Sequence, residues 1–570
     1  MTTAATISTN PPRLSFLRKW LPAFAVSLTA ALIVVSPFFW LGTASGHDIQ
    51  FHASSWLDVA GQWKEGIVFP RWTEWANHGF GEPRFLFYPP MSWVLGAALG
   101  FVVPWNAVPM AFIVLVQTAA GVFTFSVVRR LLPERAALFG AALYAANPDA
   151  LLIIYVRSDF AELLAMAFFP LLFLVALQVS GIAENQCHRP NRKIAFFSVV
   201  FAAVWLSNAP AGVMASYSVA LLFAWAAVTE KSWRPLLRGA GGLALGFGLT
   251  GFYLLPAAYE QRWVNIGQVL SSGLLPAQNF LYARISDPEH NDFNWIASSV
   301  AVLMMVMTGI ASIAAYRESV ERDRKKLWRT LLLISAAASL MMIRVTSIFW
   351  EVLPKLRFVQ FPWRWMSILA VPWVFFLAAA CARKKLGWLW GGVALALLAG
   401  TGTYLVKHTW WDAEDIPSLR AAIAQDQGFD GTDEYDPLGD DHYNLPEKAA
   451  RVKVLPTEHA LGVAPNALIR VERWTAEEKD LRVTAREPLR LALRLLDYPA
   501  WHVEVNGMQV TPERGENFSQ MILPLGAGGS RIVVRFARTK DRILGDFVSG
   551  VSLLAALLML CWPRERARDV

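Results

Sequence analysis

A carboxylate flanked by two histidines, in Gly46-His47-Asp48-Ile49-Gln50-Phe51-His52, is the first grouping in this 570-residue chain that could do chemistry. It follows an uncharged, mostly apolar run from about Leu21 to Leu41. A charge is costly in hydrocarbon, so Asp48 belongs at the mouth of a membrane helix rather than inside it. There it is either a solvated helix cap or a general base, taking a proton from an attacking hydroxyl or amine. His47 and His52 would tune its pKa or join it around a divalent cation. Five-residue spacing between them is not a ligand pattern, so no metal or other cofactor is expected.

Other reactive types gather in what should be loops. Arg157, Asp159 and Glu162 fall in one; Arg284, Asp287, Glu289, His290 and Asp292 in another; Arg357, Gln360 and Arg364 in a third. Asp159 and Glu162, three apart, share one face of a helix that starts there and should hold Arg157 in a surface ion pair. Arg357 and Arg364 stand among Trp350, Trp363 and Trp365. They are either interfacial anchors or a grip on a phosphate, for which guanidinium is well shaped. Trp56, Trp63, Trp72 and Trp75 read as an interfacial belt. One outward-facing cleft at the membrane surface would unite the charged groups. No P-loop, G-x-G-x-x-G, H-E-x-x-H or G-x-S-x-G motif occurs, so energy must arrive with the substrate.

The elements that must position these residues are membrane helices. Hydrophobic residues make up 55% of the chain and charged ones 17%, with 25 Trp and 35 Phe, and apolar runs recur near the ~20-residue spanning length. The formal net charge of +8 comes from short basic clusters between those runs, which argues for orientation in a membrane and against nucleic acid. Counting the clusters gives about twelve transmembrane helices with both termini cytoplasmic. The helices lie near 21–41, 108–128, 136–154, 163–181, 194–208, 211–229, 238–256, 295–315, 328–343, 366–382, 387–405 and 543–561. Residues 91–103 are apolar but short, and fit an interfacial helix in the first outer loop (42–107). The interiors of the spans carry almost no ionisable residues, which speaks against an ion-coupled transporter. The first span reads as a retained anchor. Cys187, Cys381 and Cys561 form neither a disulfide frame nor a zinc pattern and fall on or near the cytoplasmic side.

Three regions result: a transmembrane domain over 1–405, an extracytoplasmic β-rich domain over 406–541, and a last helix with a basic tail over 542–570. Within the second, Ala467-Leu468-Ile469-Arg470-Val471, Leu481-Arg482-Val483-Thr484, Leu489-Arg490-Leu491-Ala492-Leu493 and Arg531-Ile532-Val533-Val534-Arg535-Phe536 read as strands. Val503 to Val510 is a hairpin turning at Asn506-Gly507, where positive φ is needed. A small β-sandwich tethered at both ends is expected.

Several stretches together resemble one family. Gly46-His47-Asp48 with His52, Phe69-Pro70-Arg71-Trp72, Gly79-Phe80-Gly81 and Phe87-Tyr88-Pro89-Pro90 resemble the first outer loop of the 6-pyruvoyl-tetrahydropterin synthase-related bacterial membrane proteins. They are also similar to the wider GT-C superfamily of glycosyltransferases. Tyr155 to Glu162, Gln360-Phe361-Pro362-Trp363-Arg364 and Tyr498-Pro499-Ala500-Trp501 with Asn506-Gly507 match later landmarks of that group. The resemblance implies a GT-C fold in the inner membrane. It implies transfer of a sugar from a polyprenyl-phosphate donor to an extracytoplasmic glycan, lipid or protein acceptor, with Asp48 as base. His52, Arg71, Arg157, Asp159, Glu162, His290, Arg357 and Arg364 are the candidate substrate contacts. The paired-acid form of the motif is absent at Asp48. The rival expectation is a non-catalytic lipid-carrier transporter or envelope assembly scaffold.

Overall fold

The computed structural model describes residues 12–183, 190–317, 322–383, 385–439, 442–455 and 466–561. Cys187, His188, Arg189, Glu321, Lys384 and the tail arginines Arg564, Arg566 and Arg568, which entered the sequence count, lie outside that set. Among the described residues nine helices are long and apolar enough to cross a membrane, or up to eleven if each of two bent pairs is one span. The chain is a polytopic α-helical membrane protein with a C-terminal β domain followed by one more apolar helix.

The fifth expected span, over 194–208, is helical from Pro190 to Ser207 but is not among the eleven. Its first turn carries Asn191, Arg192 and Lys193, so the apolar part falls short of the bilayer's ~20 residues. The bent pairs are Arg234–Leu249 with Gly251–Trp263, at 74°, and Lys325–Met341 with Arg344–Val352, at 90°. At the first break the Thr250 hydroxyl donates to the Phe247 carbonyl at 2.9 Å, a back-bond that competes with the helix ladder. The short apolar helix Pro90–Leu99 stands where an interfacial helix was expected.

The span Glu134–Arg157 is built in three pieces. Helix Glu134–Ala145 stops before Pro148, Asn147 caps Pro148–Leu152 by accepting from the Ala150 amide at 3.1 Å, and Ile153–Arg157 is a π turn. Contrary to the expectation of charge-free spans, this one holds Asp149, 1% exposed, with one carboxyl oxygen lacking a partner.

Nine strands form two antiparallel sheets: β1 (Val452–Leu455), β2 (Ala467–Trp474), β3 (Glu478–Ala485), β4 (Leu489–Leu496), β5 (Trp501–Val505), β6 (Met508–Val510), β7 (Glu513–Arg514), β8 (Gln520–Leu525) and β9 (Gly528–Phe536). One sheet runs β1-β4-β8-β7 and the other β2-β3-β9-β5-β6. Alternating Leu481, Val483, Ile532 and Val534 of the larger sheet bury against Leu491, Leu493, Met521 and Leu523 of the smaller, which makes the expected sandwich. Val505 pairs with Met508 across Asn506 and Gly507, at φ 53° and 79°.

Two of the four first-loop tryptophans, Trp56 and Trp72, are core residues rather than part of an interfacial belt. Trp72, Phe80, Leu86 and Phe87 belong to the sandwich core, and the Trp72 ring lies 5.3 Å from that of Trp501. Trp56 is buried in the helical core, stacked on Phe112 at 5.5 Å. Large apolar rings are consumed where they bury most surface, and the loop thereby welds the β domain to the helices.

Candidate functional site

Asp48 precedes helix Ile49–Lys64 at its N-cap position. Its backbone amide donates to the Arg157 carbonyl at 2.8 Å, and the Gly46 amide donates to the Ser158 hydroxyl at 3.0 Å. The two loops therefore meet backbone to backbone. Gly46 is required there, because a Cβ would stand 2.5 Å from the Arg157 carbonyl carbon. Ser158, at φ 55°, ends the π turn and swings Arg157 inward.

Around Arg157 two guanidiniums and two carboxylates close on each other. Arg157 donates to Glu162 at 2.5 Å and Asp159 at 2.8 Å, and Arg364 donates to Glu162 at 3.0 Å and Asp159 at 3.4 Å. Ser367 adds a hydroxyl to Glu162 at 3.1 Å, and Asp159 caps helix Phe160–Ser180 by accepting from the Glu162 amide at 2.9 Å. All four side chains are at least nine-tenths buried. The surface ion pair expected for Arg157 is thus a buried network. Each ion removed from water demands such mutual satisfaction. Trp363 lies 4.9 Å from the Arg157 guanidinium and Phe361 4.9 Å from that of Arg364. Trp350, Trp363 and Trp365 are 1–4% exposed, so they pack as core rather than as interfacial anchors.

Asp48 stands at the edge of this network, 3.7 Å from Arg157, with 39% of its side-chain surface open. The recess removes water from it and Asp159 adds like charge, so its carboxyl is raised above the ordinary carboxylate range despite Arg157. Burial opposes the charge on Asp159 too, but Arg157, a hydrogen bond from His52 and Arg364 hold its carboxyl well below that range. The two acids are pushed apart, one stable as an anion and one poised to exchange a proton.

The open side of Asp48 faces a cavity of about 860 Å³. Asp48, Arg157, Asp159, His290 and Arg364 all line it. His52 is 2% exposed behind the wall, 3.6 Å from Asp159, and Glu162 is fully buried beneath the network. His47 lines the cavity but packs edge-on against Phe293 at 4.9 Å. The three residues do not gather around one point as a metal would require. Among the described residues no group of three or more His, Cys, Asp or Glu could hold a metal ion.

Two candidates lie away from this cavity. Arg71 sits at the seam with the β domain, its amide donating to Glu477 at 3.0 Å and its guanidinium 4.5 Å from the Phe69 ring. Arg357 is exposed on a rim, stacked 5.2 Å from Phe358, which does line the cavity.

A further wall was not foreseen. Residues 429–435 cross the cavity as a strap tied to the first loop. Glu82 accepts the Thr432 amide at 2.9 Å, and Arg84, paired with Glu82 at 2.6 Å, donates to the Thr432 hydroxyl at 3.1 Å. Phe429 exchanges backbone hydrogen bonds of 2.9 Å with Trp75 and His78, and Tyr435 stacks on Phe87 at 5.7 Å. Burial pushes the Glu434 carboxyl up to about 7. The available signal was Glu82 and Arg84, an acid and a base two residues apart in an otherwise aromatic and apolar stretch.

No known family profile matches the chain, and no curated protein does. The resemblance to the pterin-synthase-related group therefore rests on its motifs alone. Among solved structures the chain is similar to the arabinofuranosyltransferase AftD from Mycobacteria, at 18% identity and a TM-score of 0.41 over 72% of this chain and 29% of that one. It is also similar to an Archaeoglobus fulgidus oligosaccharyltransferase determined with Zn and sulfate, at 17% identity and a TM-score of 0.38 over 71% and 53%. A third likeness is to AglB from the same organism, with an inhibitory peptide and a dolichol-phosphate, at 14% identity and a TM-score of 0.30 over 73% and 57%. The chain spans less than two thirds of each of these proteins. Its chemistry has to be read from its own cavity.

Proposed function

We propose that this chain is a GT-C type glycosyltransferase of the inner membrane, moving a sugar from a polyprenyl-phosphate donor to an acceptor on the extracytoplasmic side. The carrying observation is the half-open carboxylate of Asp48, set between a buried charge network and a cavity whose lining includes the apolar Ile266, Val269, Leu274, Phe358 and Phe361. Asp48 takes the proton of the acceptor hydroxyl as its oxygen bonds to the anomeric carbon. The bond from that carbon to the phosphate oxygen breaks, and polyprenyl phosphate leaves with the electron pair.

The charges of Arg157 and Arg364 are already matched by Asp159 and Glu162, so their part is to hold Asp48 and the cavity floor. The phosphate falls instead to the end of helix Ala209–Thr229 that opens on the cavity, with Arg357 and Lys355 on the rim beyond Phe358. Both are exposed and in no ion pair among the described residues. That helix suits the phosphate, since its N-terminal Asn208, Ala209 and Pro210 open on the cavity and its dipole favours an anion. His290 remains a polar contact for the sugar.

A transporter would use its broken helices at the binding site. The two sharp bends, at Thr250 and at Met342–Ile343, contribute no residue to the cavity, whereas the π turn that ends span Glu134–Arg157 brings Arg157 to it. Asp48→Asn keeps the shape but removes the base. The expected result is a loss of transfer of about 10²-fold or more from a lipid-linked donor, with an unchanged thermal unfolding curve. Full activity in that variant removes the assignment.

A further inference from the structure

One turn in the cavity wall adopts a backbone conformation that side chains rarely take. Gln360, which lines the cavity, has φ 64° and ψ −58°, and across it the Phe361 amide donates to the Val359 carbonyl at 2.7 Å, which makes a γ-turn of the strained hand. The sequence demands a reversal here. Phe361 precedes Pro362 and is kept extended, at φ −106° and ψ 107°, so the change of direction after Leu356–Val359 falls on residue 360. A glycine adopts that φ freely, whereas a glutamine holds it only where its surroundings over-determine it.

Three hydrogen bonds supply that constraint. The Gln360 carboxamide donates to the Val269 carbonyl at 2.8 Å and accepts from Arg364 Nη1 at 3.3 Å. The same Arg364 nitrogen donates to the Val359 carbonyl at 3.0 Å, which pins the turn to the charge network beneath Asp48. Gln360 thereby bridges two stretches of the cavity wall that are distant in sequence. One brings Ile266, Val269 and Leu274 to the lining, and the other brings Phe358 and Phe361. The rim cations Lys355 and Arg357 ride on the second stretch, where Lys355 is also at positive φ, 62°.

We propose that Gln360 is a spring-loaded latch that sets donor affinity: its bridge breaks and the γ-turn relaxes when an isoprenoid chain enters between the two stretches. Resting on the lipid-linked donor of the reading above, this names the residue that regulates how that donor is held. The conformation described is the latched one. A ligand that needs the unlatched conformation binds more weakly in proportion to how seldom that conformation is populated. Removing the latch therefore tightens binding, the opposite of what loss of an ordinary wall residue does. Gln360→Ala removes both side-chain bonds yet leaves a Cβ on the strained turn, so it favours release most. Gln360→Gly removes the bonds but lets the turn rest, so it falls between the alanine variant and the wild type.

The test is calorimetric titration of the full-length protein in nanodiscs with farnesyl phosphate and, separately, with inorganic phosphate. Farnesyl phosphate is expected to bind Gln360→Ala about tenfold more tightly than the wild type, with Gln360→Gly between them. Inorganic phosphate has no chain to part the wall and is expected to treat all three proteins alike. Hydrogen exchange of the wild type gives a second measurement that no variant's folding can disturb. The Gln360 and Phe361 amides, bonded to the Arg357 and Val359 carbonyls, are expected to exchange faster with farnesyl phosphate present. Unchanged or weaker binding to Gln360→Ala, tighter binding to Gln360→Gly than to Gln360→Ala, an equal gain for inorganic phosphate, or exchange that is unchanged or slower each overturns the proposal. If the wild type binds farnesyl phosphate and Gln360→Ala gains nothing, the latch alone falls. If neither binds it, the latch and the lipid donor fall together, while the Asp48→Asn result, taken from turnover, is independent of both.

Discussion

At the scale of single residues, the site is a contest between burial and neighbouring charge. Asp48 is raised by its recess and by Asp159, so the folded protein keeps a proton on it at a pH where a free aspartate has lost it. A general base works only when deprotonated. Activity should therefore fall as pH drops through the raised value, and the acidic limb of kcat/KM should lie above the usual carboxylate range. A pH–rate profile measured with saturating lipid donor checks this; a limb at the value of a solvated aspartate contradicts it. Asp48 and Asp159 were legible in the sequence because each sits where an apolar run ends. The pairing of Arg364 with Glu162 was not, since two hundred residues separate them and only folding brings them to 3.0 Å. Asp149 passed unnoticed for a related reason. A lone acid inside an apolar run is drowned by its neighbours in any hydropathy average, though the cost of burying it marks it out.

At the scale of elements, the site depends on two loops that touch through their backbones. Residues 46–48 reach the end of the π turn only because position 46 has no side chain. Gly46→Ala places a carbon 2.5–2.7 Å from the Val156, Arg157 and Ser158 backbone, and backbone cannot move aside as a flexible side chain can. Loss of the two hydrogen bonds and displacement of Asp48 should lower kcat/KM by about tenfold or more, and thermal stability by about 1–3 kcal/mol. Steady-state kinetics and unfolding of the purified variant measure both. Strand positions and the Asn506-Gly507 turn were readable because period-2 alternation and positive φ are local properties. The strap over 429–435 was not, because its acidic, turn-rich sequence has no periodicity. What orders it is Glu82, Arg84 and Trp75 in a distant loop. Trp56 and Trp72 of the first loop misled for the converse reason: composition placed them at an interface, whereas the helical core and the sandwich offered them a larger apolar surface.

For the whole molecule, one buried junction ties the last helix, the β domain and the bent helix pair together. Arg542, 2% exposed, forms two hydrogen bonds of 2.7 and 2.8 Å to Glu260, which is fully buried. Tyr498 of the β domain donates to the same carboxylate at 2.7 Å, and Thr539 adds a hydroxyl at 3.3 Å. The net value of such a cluster over an apolar substitute is small, because both ions lost their water, but removing one partner strands the other. Arg542→Met should thus cost about 3–5 kcal/mol and loosen helix Lys540–Cys561 from its packing against Gly251–Glu260. Replacing both ions, with Glu260→Leu added, should recover most of that loss, since the stranded charge is gone. Thermal unfolding of the two variants, with limited proteolysis after Phe536, distinguishes the outcomes. If the single substitution is silent, the β domain is held by its apolar seam with Trp72 and Phe80 alone. The cavity wall at 429–435 would then owe its position to the first loop and not to the final helix.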